Sequence, residues 1–160
     1  MARKIATLSK RHCSTGGGNY GSYYQISARR GIKVLDGEGG CVFDTQKEAT
    51  QSDLYDEAKE EARLLRKARR KTNKVPTCYG VRLVKQDGRY AVGIEMEHAK
   101  GRMLSEACID SSIAHKLAED LENELRVNGI SHGDLHWDNI MYYKGKVKAI
   151  DFSPGHVTVK

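Results

Sequence analysis

The sequence predicts an α+β protein in two lobes, and three observations carry that reading. Short apolar runs with turn signals fill most of residues 1–96, and a single long amphipathic helix interrupts them. After a connector at 97–101, a second helix and a hairpin make a smaller lobe over 102–160. At 160 residues the chain suits one compact domain built from two such lobes.

The elements follow in order. Glycine-rich stretches at 16–18 and from Asp36 to Gly40 read as loops. Between them, Ser22 to Ser27 and Gly31 to Leu35 read as strands, with a turn near Arg29 and Arg30. Thr45 with Glu48 three residues on is a capping box, opening a helix to about Lys71. Its apolar stripe is Leu54, Ala58, Leu65 and Ala68. Glu61 falls near the middle of that stripe, Glu57 at its edge, and Glu60 points away. A carboxylate on a buried face is costly unless a cation meets it, so the stripe asks for a partner. Cys78 to Lys85 and Arg89 to Met96 form a strand pair across Asp87-Gly88, a strong hairpin signal. The second helix runs from about Ser111 to Asn128, with Ile113, Leu117, Leu121 and Leu125 on one face and Gly129 as its stop. Ile140 to Tyr143 and Val147 to Ile150 make the last hairpin around Lys144-Gly145.

Composition narrows the setting. With 39% apolar and 30% charged residues, and no apolar run near the roughly 20 residues that span a bilayer, the expectation is a soluble protein. The N-terminus is basic but lacks the apolar core of a signal peptide. Cys13, Cys41, Cys78 and Cys108 show no metal-ligand spacing, so they read as free thiols in a reducing cytoplasm. The net charge of +6 suits an acidic partner such as nucleotide phosphates. The basic run from Arg66 to Lys74 reads as the solvated end of a helix. Nucleic-acid contact is the lesser reading, because no aromatics interleave to stack on bases.

The densest chemistry lies in Ile130-Ser131-His132-Gly133-Asp134-Leu135-His136-Trp137-Asp138-Asn139, followed by Ile150-Asp151-Phe152. Strands flanking a turn would gather Asp134, Asn139 and Asp151, a set able to hold magnesium and activate a hydroxyl for phosphoryl transfer. Near the N-terminus, Gly16, Gly18 and Gly21 form G-x-G-x-x-G; glycines there let the backbone fold over phosphates and offer N–H groups. A strand follows this motif, so it does not fit dinucleotide binding, which needs a helix there. Lys33 stands inside an apolar strand. Pairing it with Glu61 explains both misplaced charges with one assumption.

Taken in order, these residues resemble the protein-kinase-like superfamily along nearly the whole chain. Gly16, Gly18 and Gly21 match the glycine-rich loop, with Tyr20 at its aromatic tip; Lys33 matches the third-strand lysine and Glu61 the C-helix glutamate. Glu61 to Leu65 followed by Val75-Pro76 is similar to Rio-type kinases and the kinase of the tRNA-modification complex. Glu95, Met96 and Glu97, within Ile94 to His98, look like the hinge that hydrogen-bonds adenine. Asp134 matches the catalytic aspartate, Asn139 and Asp151 the metal ligands, and His136 the H-G-D-L-H form of aminoglycoside and choline kinases.

The resemblance implies a bilobal kinase-like fold with a β-rich N-lobe and a truncated C-lobe, ATP and Mg²⁺ (with Mn²⁺ as an alternative) as cofactors, and a Ser/Thr protein kinase acting on a protein substrate or on itself. Gly16, Gly18, Tyr20, Gly21 and Lys33 would hold the phosphates, Glu61 would fix Lys33, and Asp134 would orient the attacking hydroxyl. The D-x-x-x-x-N spacing selects Asp134 over Asp138, which reads as a turn residue, and His132 reads as a brace. A zinc site from His132, His136 and Asp138 is the least favoured alternative.

Three departures qualify the resemblance. Gly133 stands where regulated kinases carry the arginine that reads an activation-loop phosphate. Ser153 replaces the glycine of D-F-G. Seven residues follow Ser153, so the activation segment and later helices are expected to be missing, as in cut-down bacterial effector kinases. A virus or a secreted effector acting in a host cytosol would suit such compactness. The alternatives are a kinase-like module that docks a protein partner, and then a small-molecule kinase.

Overall fold

The computed structural model describes residues 5–7, 14–18, 21–35 and 42–160, of which 5–7, 14–18 and 21 are described by their backbone alone. Tyr20, the loop from Asp36 to Gly40, Cys13 and Cys41 lie outside the described residues. The architecture is α+β, with a large, mainly antiparallel sheet and few helices. The chain divides into two compact units, residues 1–62 with 78–98 and residues 63–77 with 99–160. The segment 63–77, expected in the N-terminal lobe, therefore groups with the C-terminal one.

Unit 1 is built on a six-stranded sheet. Its strands are β1 (Ile5–Thr7), β2 (Ser14–Gly18), β3 (Gly21–Gln25), β4 (Arg30–Leu35), β5 (Cys78–Gln86) and β6 (Arg89–Glu97). Their order is β1-β5-β6-β4-β3-β2, with β1 parallel to β5 and the other neighbours antiparallel. The glycine run at 16–18, expected as a loop, is a strand. Pairing overrides propensity there: Gly16, Gly17 and Gly18 face Tyr23, Ser22 and Gly21, with a register shift after Ser14.

The β5–β6 hairpin turns at Asp87 and Gly88, whose φ values of 49° and 82° are those of a type I′ turn. Strand alternation splits β4 between two faces. Ile32 and Val34 join Val84 and Ala91 in a core cluster against which Tyr24, Ile26 and Val42 pack, while Lys33 and Leu35 take the opposite face. Gly31 has no room for a side chain, because a Cβ there would run into the ring of Tyr23. That ring is held by a 3.0 Å hydrogen bond between its hydroxyl and His98 Nδ1. Burial, helped by the charge of Glu97, pushes the Tyr23 hydroxyl up to about 12, so it stays protonated.

The helix expected to run unbroken from Thr45 is two helices, α1 (Gln46–Thr50) and α2 (Asp53–Arg69). The capping box opens α1 as read: Thr45 Oγ1 accepts from the Glu48 N–H at 3.2 Å, and Glu48 Oε2 accepts from the Thr45 N–H at 3.3 Å. Ser52 makes the break. Its hydroxyl donates to the Ala49 carbonyl at 2.7 Å and accepts from the Tyr55 N–H at 3.3 Å, closing one helix and starting the next. Asp53 and Asp56 in the first turn of α2 suit its positive N-terminal end.

Unit 2 takes the end of α2 from Arg63, then β7 (Arg102–Met103), α3 (Ser111–Val127), β8 (Ile130–Ser131), β9 (Ile140–Tyr143), β10 (Lys146–Ala149) and β11 (Thr158–Val159). The strands form a three-stranded sheet, β10-β9-β7, and a two-stranded one, β11-β8. Asp110 caps α3, its carboxylate accepting from the Ser112 N–H at 2.8 Å, and Gly129 at φ 73° ends it. The expected apolar stripe is buried only in its second half. Leu121 and Leu125 are core residues, but Ile113 is 52% exposed and Ala114 takes the buried place near the start of the helix. Leu104, Ile130, Ile140 and Phe152 complete the core. The β9–β10 hairpin repeats the type I′ solution, with Lys144 at φ 48° and Gly145 at 77°. Among the described residues no helix is long and apolar enough to cross a membrane, and neither Cys78 nor Cys108 is in a disulfide.

Candidate functional site

The first set of residues lies in unit 1. Lys33 projects from β4, and its Nζ donates to both carboxylate oxygens of Glu61 on α2, at 2.9 and 3.1 Å. Glu61 is 1% exposed and Lys33 14%, so the pair is nearly desolvated. The buried face of α2 thus receives the cation that its apolar stripe required.

Gly16, Gly18 and Gly21 lie in the paired strands β2 and β3, while Tyr20 at their turn lies outside the described residues. Glu95 and Met96 sit inside β6, in register with Ile32 and Gly31 on one side and with Gly80 and Cys78 on the other. The Glu95 carboxylate is taken by two guanidinium groups, Arg30 at 2.7 Å and Arg82 at 2.8 Å. The expected adenine contact at Glu95 and Met96 therefore meets backbone already committed to the sheet. Glu97 ends the strand opposite Arg30.

The second set lies in unit 2, on the stretch between β8 and β9. Asn139 is 9% exposed, and its Nδ2 donates to the Asp134 carbonyl at 2.9 Å, with the Asp134 carboxylate at 3.4 Å and His136 Nε2 at 3.1 Å. The Ile150 N–H donates to the Asn139 carbonyl at 2.9 Å, which brings the chain on either side of the hairpin together and sets Asp151 next to Asn139's partner. Asp151 has φ 61°, a left-handed conformation rare outside glycine, and its Oδ1 accepts from the Ser153 hydroxyl at 2.7 Å. The serine that replaces glycine in the expected D-F-G thus braces the aspartate.

His132 is a brace as well. Its Nε2 lies 2.9 Å from the Ile150 carbonyl, its ring meets Phe152 edge-on at 5.1 Å, and its buried Nδ1 has no hydrogen-bond partner among the described residues. Burial holds its pKa below the usual histidine value, against the pull of the Ile150 carbonyl, Asp151 and Asp134. The ring is therefore neutral, with its proton on Nε2.

Gly133 has φ 72°, and a Cβ there would run into the His156 carbonyl. Glycine at this position answers to backbone conformation and space before any question of regulation. Among the described residues no three His, Cys, Asp or Glu side chains converge on a metal position. The zinc alternative is corrected accordingly: the His132 ring is turned to the Ile150 carbonyl and Phe152, away from the pair that His136 and Asp138 make.

Sequence reasoning missed what holds Asp138. The Ser105 hydroxyl donates to its Oδ1, and its Oδ2 lies 3.6 Å from His136 Nδ1. The separation of Ser105 from Asp138 along the chain hides that contact; only the His136–Asp138 spacing was a visible signal. Much of the basic run is also spoken for. Lys67 donates to the Val159 carbonyl, Arg69 to the Val75 carbonyl at 3.1 Å, and Lys74 lies 3.8 Å from Glu124. Compared with known proteins, the chain matches no protein-family model and no curated protein.

Proposed function

We propose that the protein is an ATP- and Mg²⁺-dependent phosphotransferase of the protein-kinase-like type, bilobal in organisation, acting on Ser/Thr hydroxyls of a protein or on its own. The observation that carries the reading is the Lys33–Glu61 pair: a lysine in an apolar strand meets a glutamate at the centre of a buried helix face. As a purely structural device such a pair gains little, because desolvating two charges offsets their attraction. A lysine fixed by a carboxylate is, however, what phosphate positioning needs.

The second support is the donor set of unit 2. A carboxylate from Asp151 and the amide oxygen of Asn139 are hard oxygen ligands of the kind magnesium takes, alongside phosphates and water. Bound there with ATP, the ion would neutralise the charge that builds on the phosphates. In this reading Lys33 contacts the phosphates and Glu61 keeps it extended. The hairpin of Gly16, Gly18 and Gly21 covers them, and the adenine is met at the end of β6, about Glu97. Asp134 orients the acceptor hydroxyl and takes up its proton, and its side chain is 46% exposed and so open to a substrate.

The test is transfer of labelled phosphate from ATP with magnesium, with and without a generic protein acceptor. The wild type is expected to label itself or the acceptor, and Asp134→Ala to lose about 10²–10⁴-fold, the usual worth of a positioned base. Equal labelling by the two proteins would overturn the proposal. Nucleotide binding is read separately as the rise in melting temperature on adding Mg-ATP, expected for wild type and lost in Lys33→Met.

A further inference from the structure

Glu95 is held by more than its charge requires. It is buried in β6 with both carboxylate oxygens engaged, Oε2 by Arg82 Nε at 2.8 Å and Oε1 by Arg30 Nη1 at 2.7 Å. One arginine neutralises a carboxylate, and Arg82, the less exposed of the two at 23%, already does so. Arg30 is a second cation, and its side chain is 50% exposed.

The fold nevertheless fixes Arg30 on two sides. Its guanidinium lies over the ring of Tyr79, 4.3 Å from the centroid, while Nη1 is tied to Glu95. Tyr79 reaches that position through a β-bulge. Cys78 faces Met96 and Gly80 faces Glu95, so Tyr79 is the extra residue of β5 between two consecutive partners in β6. Bulges re-aim a side chain in this way. Ordering a long, exposed side chain costs rotamer entropy that an exposed ion pair barely offsets.

The edge of the guanidinium that remains is the informative one. Nη1 lies on the same side as Cδ, so its use leaves Nε and Nη2, whose N–H groups run parallel as a fork. Among the described residues that edge has no hydrogen bond or ion pair, and Glu97, across the strand from Arg30, does not pair with it. Arg82 differs, with Nε on Glu95 and Nη1 on the Val81 carbonyl.

We infer that Arg30, held flat on Tyr79 and braced by Glu95, anchors an acidic peptide segment of a protein partner, its Nε–Nη2 edge taking a side-chain carboxylate in a bidentate pair. The chemistry of the partner follows from the fork, which matches two coplanar oxygens, and from the net charge of +6, which draws acidic chains. The site lies within unit 1 and does not depend on the phosphotransferase reading.

The test uses the full chain labelled with ¹⁵N and three peptide probes of the same length. One carries a run of Glu and Asp between Gly-Ser flanks, one has Gln and Asn in their place, and one has phosphoserine. The Arg30 Nε–H resonance is expected to move with the acidic peptide and not with its amide counterpart, and the affinity to fall as salt is added. Arg30→Lys keeps the charge without the fork and should weaken binding of the acidic peptide roughly fivefold to tenfold. Tyr79→Leu keeps the fork but removes the face beneath it, and should weaken binding about threefold.

Arg89→Lys is the control. Arg89 is similarly exposed, at 53%, but its Nε already meets Asp44 at 3.0 Å, so the affinity should stay at the wild-type value. Arg82 still neutralises Glu95 in every variant, and unchanged backbone amide spectra away from the site verify that the fold is kept. No binding of the acidic peptide by the wild type at millimolar concentration overturns the inference. Equal binding of the acidic and amide peptides overturns it too, as does wild-type affinity in Arg30→Lys, which would leave only general attraction to a basic protein. A response confined to the phosphoserine peptide overturns the assignment of a carboxylate.

Discussion

Replacing Lys33 exposes the tension stored in its ion pair. Glu61 is 1% exposed, so removing its lysine leaves a carboxylate in apolar surroundings where ionisation is costly. Lys33→Met should therefore destabilise the protein by about 3 kcal/mol, the lower end of what breaking a buried pair costs. The double variant Lys33→Met/Glu61→Met should recover most of that loss in chemical denaturation, even though it lacks the lysine proposed to meet phosphate. Equal destabilisation by both would mean that the carboxylate does not depend on the lysine.

The pair was legible in the sequence because helix periodicity set Glu61 within the stripe of Leu54, Ala58, Leu65 and Ala68, and Lys33 stood as a second misplaced charge in an apolar strand. The Ser105–Asp138–His136 chain was not. Ser105 reaches Asp138 only through packing between two short 3-10 turns, Leu104–Glu106 and Trp137–Asn139, which no periodicity announces. The Arg30 and Arg82 contacts to Glu95 were hidden for a similar reason: strand register, not spacing along the chain, sets them side by side.

Turns are the elements in which glycine does most for this fold, and they differ in what it does. Gly88 and Gly145 close type I′ hairpins with nothing within 4 Å of an added Cβ, so only backbone conformation is at stake. Gly133 combines positive φ with contact against the His156 carbonyl. Gly88→Ala and Gly145→Ala should each cost about 1 kcal/mol, the strain of a left-handed alanine. Gly133→Ala should cost distinctly more and weaken any Mg-ATP response, because the loop before Asp134 has to move. Denaturation midpoints of the three variants check that ranking.

Asp-Gly and Lys-Gly made both hairpins readable. The capping box at Thr45 and the stop at Gly129 were readable too, because each is local chemistry. Two of the elements that escaped show why. The break at Ser52 depends on a hydroxyl choosing the Ala49 carbonyl over the ordinary helix pattern, and serine carries no such signal by itself. The glycines of β2 became a strand because β3 pairs with them, which is tertiary context.

Across the whole molecule, pH acts through His132. Its folded pKa lies below the ordinary 6.5 because burial disfavours the charged ring. Below about pH 6.5 the unfolded chain takes up a proton at this site that the folded chain resists, so stability falls on acidification and is recovered as pH rises. The slope from this one residue is at most about 1.4 kcal/mol per pH unit. Between pH 7 and pH 5 the wild type should lose stability faster than His132→Gln, whatever the absolute stability of that variant. Parallel curves would show that the folded histidine titrates normally. Each unit keeps a core of its own, yet neither is a continuous stretch of chain, since the path changes unit after Ala62, after Thr77 and after His98. A gene divided at the 97–101 connector would not separate two intact halves. The first fragment would carry Ala68 and Val75, which are buried in the other half's core, and the second would lack them. A single recombination event therefore has no seam at which to swap one lobe for a foreign one.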